Sequence, residues 1–114
     1  MGVDLTLHVV SGAKPYHYCA TRLDIGKDYD LFDALEAVPK SLVAGELGEV
    51  WAFSGDENKK LDATDAYGNP FKFSTAGEIY EVARRLDEKS TACRAAFAYL
   101  RELPTLTPIV LDFH

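Results

Sequence analysis

Two groups of side chains in this sequence could do chemistry, and both depend on how strands are laid against one another. The first joins Asp4, Thr6 and His8 near one end of the sequence to Asp112 and His114 near the other. If the strands carrying them pair with like faces aligned, two imidazoles and two carboxylates converge. Such a donor set suits zinc or iron, or a small metal- or His/Asp-dependent hydrolase. Alternation alone, however, lays polar residues along any half-exposed strand. No His-x-x-x-His, no His-Glu-x-x-His and no remote Cys ligand accompanies them, so no metal site is assigned.

The second group surrounds Tyr67-Gly-Asn-Pro-Phe-Lys-Phe-Ser-Thr-Ala-Gly-Glu78. Thr75 and Glu78 have the Ser/Thr-x-x-Glu spacing of a capping box, which fixes a strand-to-helix junction. The free N–H groups of a helix start can hold an anion. Gly77 would admit a close ligand, Lys72 stands one strand step away, and Arg84 and Arg85 project two turns on. Trp51, Tyr67 and Asn69 could stack on or hydrogen-bond a base. The candidate ligand-binding set is therefore Trp51, Tyr67, Asn69, Lys72, Thr75, Gly77, Arg84 and Arg85. Glu78 would repel an anion, and no Gly-rich phosphate loop is present. A purely structural junction accounts for the same residues.

Nucleophilic catalysis has no signature. Ser11 and Ser54 lie outside any Gly-x-Ser-x-Gly motif, and the carboxylates lack the apolar surroundings that raise a pKa for acid work. Cys19 reads as core and Cys93 as a packed helix residue. Without Cys-x-x-Cys spacing they are free thiols of a reducing, cytoplasmic compartment. No catalytic residue and no cofactor is assigned.

The elements that must position these groups follow from periodicity. Met1–Val10 and Tyr16–Ile25 alternate as two strands of a hairpin across Ser11–Pro15, with Cys19, Thr21, Leu23 and Ile25 on one face of the second. Asp28 or Asp30 caps a helix over Leu31–Val38, stopped by Pro39. Lys40–Gly48 reads as a connecting loop, Glu49–Ser54 as a strand with Trp51 and Phe53 on one side, and Gly55–Lys60 as a polar turn. Leu61–Ala66 is left unassigned. Phe71–Phe73 is a strand with both aromatics on one face. Ile79, Val82, Ala83 and Leu86 then form a helical stripe. Asp87–Thr91 interrupts it before a helix over Ala92–Leu103 that buries Cys93, Ala96, Phe97 and Leu100. Ile109, Leu111 and Phe113 alternate in a closing strand, placed beside the first in mid-sheet. The expected fold is α+β: one domain over 1–114, with a largely antiparallel sheet of four to five strands and two to three helices on one face.

Composition limits the partners. The 114 residues are 47% apolar and 26% charged, with a net charge of −6. The whole surplus falls in residues 1–57, where four basic side chains face ten acids. Nucleic acid needs clustered Lys and Arg and is not an expected partner. Nothing reaches the ~20 apolar residues of a membrane span, and no signal peptide stands out. Met-Gly-Val-Asp-Leu-Thr matches the permissive myristoylation pattern, although Gly2 equally well leads into a strand.

Three patches carry a resemblance. The Met-Gly-x-Asp-Leu opening, the Tyr67-Gly-Asn-Pro70 turn ahead of Ala76-Gly-Glu78, and the Phe113-His114 end resemble small uncharacterised accessory proteins of bacteriophages and prophages. Tyr29–Ala34 and Ala98–Arg101 are similar to them as well. The resemblance implies a non-enzymatic binding protein in a bacterial host cell that antagonises a host defence component. It would do so by sequestering a nucleotide signal, as a symmetric homo-oligomer, or by blocking a host protein.

Overall fold

A computed structural model of the protein describes residues 3–13, 16–54, 57–61, 64–86 and 90–114. Gly2, Lys14-Pro15, Gly55-Asp56, Asp87–Lys89 and the side chain of Phe53, each part of an expectation above, lie outside the described residues. The elements are β1 (Leu5–Ala13), β2 (Tyr16–Gly26), α1 (Tyr29–Leu35), β3 (Ser41–Leu42), α2 (Val43–Glu46), β4 (Val50–Ser54), β5 (Glu57–Lys60), β6 (Lys72–Thr75), α3 (Ala76–Ala83), α4 (Thr91–Glu102) and β7 (Pro108–Phe113). The α+β class holds.

The sheet is larger than the expected four to five strands. Among the described residues seven strands run in the order β3-β6-β7-β1-β2-β4-β5, and the β2–β4 pairing is parallel. Lys40–Gly48 is not simply a loop, since it contributes β3 and α2. A two-residue strand and a four-residue helix are too short to show a period. Glu57–Lys60 pairs antiparallel with β4 where a turn was expected.

The alternating terminal strands do pair in mid-sheet, Leu5 opposite Phe113 and Leu7 opposite Leu111. Leu5, Leu7, Val9, Ile109 and Leu111 point to one face, where Leu31, Leu35, Ile79, Ala83, Cys93, Phe97 and Leu100 of α1, α3 and α4 cover them. The opposite face carries a smaller cluster of Val10, Val110 and Phe71 with Val43, Leu47 and Val50 around α2. Helical cover is thus not confined to one face.

Cys19 belongs to this second face. The β1–β2 register steps from Val9–Thr21 to Val10–Cys19, leaving Ala20 unpaired in a bulge. One extra residue inverts the parity of a strand, so Cys19 parts company with Thr21 and Leu23. Burial and then the Asp112 carboxylate push its thiol up to about 11, which keeps it protonated at neutral pH.

Capping follows the sequence closely. Asp28 accepts from Leu31 N at 3.1 Å, Thr75 from Glu78 N at 3.3 Å and Ser90 from Cys93 N at 3.1 Å. Each side chain satisfies a donor that the first helical turn leaves open.

Candidate functional site

One cleft starts from a turn. Asp65 Oδ1 accepts from the N–H groups of Tyr67 (2.9 Å) and Asn69 (3.1 Å), and Asp65 N donates to Asn69 O at 2.8 Å. Gly68, at φ +80°, supplies the left-handed step that this closure needs. The turn forms one wall of a cleft of about 370 Å³, whose other walls are α1 and strands β6 and β7. Phe32, Leu35, Leu111 and Phe113 give it an apolar floor, with Phe32 and Phe113 edge-to-face at 5.4 Å. Glu36, Lys40, Asn69 and Lys72 stand around it.

The two lysines differ. Lys40 Nζ donates to the Leu35 and Val38 carbonyls, capping the open C-terminal end of α1. Lys72 has no bonded partner among the described residues and stays exposed. The cleft therefore offers a ligand one ammonium, the Glu36 carboxylate, the second oxygen of Asp65, one carboxamide and two ring edges.

The other expected ligand residues fall elsewhere. Trp51 lies on β4, with three strands between it and β6, where the Lys60 ammonium sits 5.3 Å from its ring centroid. Tyr67 is exposed on the turn. At the α3 start, Ala76 N donates to Thr107 O (2.9 Å), Gly77 N to Thr105 O (3.0 Å) and Glu78 N to Thr75. The first N–H groups of this helix are already bonded within the chain. The close approach at Gly77 is made by Thr105. A Cβ there would stand 3.1 Å from Thr105 Cβ and 3.2 Å from its carbonyl oxygen.

That contact gives a prediction. Glycine to alanine inside a helix normally gains about 1 kcal/mol. Gly77→Ala should instead lose about 1 kcal/mol by urea denaturation, because two hydrogen bonds hold the Thr105–Thr107 segment against the new methyl. A gain would mean that the segment yields freely.

The His/Asp group assembles in part. His8 Nε2 lies 3.0 Å from Asp112 Oδ2, and His114 Nε2 lies 2.9 Å from Thr6 Oγ1. Both contacts run along the same diagonal between β1 and β7, whose direct partners are Thr6–Asp112 and His8–Val110. Thr6 donates its only proton to Asp24 Oδ1 at 2.8 Å, so His114 Nε2 carries the hydrogen it shares with Thr6. Arg22 also donates to Asp24 and, with Thr6, holds that carboxyl below the usual range. Asp4 departs from the expected group and pairs through both oxygens with Lys27 at 3.1 Å. Among the described residues, no three His, Cys, Asp or Glu side chains are placed to hold a metal ion.

Asp24, Phe32, Glu36, Asp65 and Phe113 are the site residues that sequence reasoning passed over. The Asp65-x-x-x-Asn69 spacing around Gly68 was the readable signal, because an Asx turn of this kind orders a loop without outside help. No family model matches the chain, and neither the curated proteins nor the solved structures compared with it contain a match.

Proposed function

We propose that the protein is a non-enzymatic binding protein that captures a small nucleotide of the cyclic mononucleotide class in the cleft between α1, the 65–70 turn, β6 and β7. The observation that carries this reading is the exposed Lys72 lining a cleft with Phe32 and Phe113, with Asn69 and Glu36 in the same lining. One available cation matches the single charge of a cyclic phosphodiester. Phe32 and Phe113 offer apolar contact to a base, and Asn69 and Glu36 offer hydrogen bonds to its edge or to the ribose. The volume is at the small end of ligand pockets, which favours one nucleotide over two. The resemblance to phage accessory proteins gives the capture a setting, in which a signal is withheld from a host defence component.

The runner-up, a small His/Asp-dependent hydrolase on His8, Asp112 and His114, draws on the 3.0 Å His8–Asp112 contact. Against it, the Thr6 hydroxyl is engaged between Asp24 and His114, and the Cys19 thiol is held protonated.

Thermal denaturation with 1 mM cyclic AMP or cyclic GMP tests the proposal. The expected result is a rise of several degrees, since a ligand held by the native state stabilises it by mass action. Lys72→Ala should weaken binding at least tenfold. If neither nucleotide shifts the transition, capture fails, and retention of a host protein on the immobilised protein would put steric blocking in its place.

A further inference from the structure

We infer that the groove between α3 and α4 is a second ligand site, for an oligophosphate chain, separate from the cleft and independent of the reading given to it. The groove is lined by Tyr80, Arg84, Arg94, Phe97, Ala98 and Arg101. Arg94, Ala98 and Arg101 stand at i, i+4 and i+7, one face of α4, so the two arginines are two turns or about 10.5 Å apart. Arg84, at the C-terminal cap of α3, faces them across the groove. Three arginines thus line one groove of about 220 Å³ in a protein whose net charge is −6, and among the described residues no carboxylate lines it.

Two of these arginines already meet acids, in exposed pairs that hold weakly and that a phosphate can replace. Glu81 is shared between Arg84 (3.2 Å) and Arg85 (3.3 Å), on the outer side of α3. Glu102 pairs with Arg101 at 3.6 Å, both side chains well exposed. Arg94 donates to Thr91 Oγ1 at 3.3 Å and, among the described residues, has no carboxylate within ion-pair distance. A cation at a helix C-terminus, as at Arg84, suits the macrodipole and needs no ligand. That explanation does not reach Arg94, which sits in the first turns of α4, where the dipole disfavours positive charge. Guanidinium forks match phosphate oxygens in pairs of hydrogen bonds, and several set along a groove fit several linked phosphates better than one ion. The half-buried Tyr80 ring lies at the same groove and could bear a nucleoside attached to the chain.

The test is isothermal titration of the whole protein with sodium tripolyphosphate and with ATP, without magnesium at low ionic strength. Both should bind, more weakly as salt is raised. The double variant Arg94→Ala, Arg101→Ala should lose at least tenfold in affinity for each, and Arg94→Gln alone at least threefold. Lys72→Ala should leave both within twofold, which separates this site from the cleft. Similar affinities for the two probes mean that the phosphate chain alone is read, whereas tighter ATP means that the nucleoside adds a contact at Tyr80. Absence of heat with both probes, or undiminished binding by the double variant, overturns the assignment.

Discussion

Replacing Leu7 by alanine lowers the stability of the protein by about 3–4 kcal/mol, the upper half of what a fully buried leucine costs. Leu7 is fully buried on β1, with β2 on one side and β7 on the other, beneath α1, α3 and α4. The loss combines the transfer of one methine and two methyl groups with a cavity that two flanking strands and a helical layer cannot close. The thermal transition should fall by more than about 10 °C. A drop of less than about 1 kcal/mol would mean that the helices settle into the space, and that the face is less rigid than its burial implies.

Asp112→Ala is the second large effect, at about 2 kcal/mol. His8 has only 11% of its side chain exposed, and its Nε2–H donates to Asp112. Removing the carboxylate strands a polar ring against the sheet, and an unmet buried donor costs about 1–3 kcal/mol. The double variant His8→Phe, Asp112→Leu should recover most of the loss, because a packed apolar pair leaves nothing unmet. Guanidinium denaturation of His8→Phe, Asp112→Leu and the double variant measures the coupling. Additive losses would show that the two side chains act independently, which their 3.0 Å separation argues against.

Much of the fold was legible because its longest elements carry clean periods. The alternation of Val3–Val9 and Ile109–Phe113 identified two strands and their mid-sheet placement, and the Thr75 and Asp28 caps fell where the residue types put them. The stripe Cys93, Ala96, Phe97, Leu100 buries α4 as expected. What escaped notice is non-local or short. The bulge at Ala20 is a property of two strands together, and nothing in Tyr16–Ile25 announces it. The filling of the α3 start by Thr105 and Thr107 joins segments some thirty residues apart. A glycine that admits a ligand looks the same in sequence as one that admits the chain. Asn69 and Lys72 were picked out for the helix start yet line a cleft beside it, because β6 reverses side at each residue and Lys72 faces α1 with Leu111.

The pairing of β1 with β7 governs how the molecule is made. Thr6 and His114 are 108 positions apart in sequence yet in contact, so β1 waits for almost the whole chain before gaining its second neighbour. At ribosomal speeds of about 5–20 residues per second, that wait lasts roughly 5–20 s. Throughout it Leu5, Leu7 and Val9 sit on a hairpin with one flank open, a template for wrong partners. Slow folding, sensitive to whatever shields this nascent hairpin, is the expected signature.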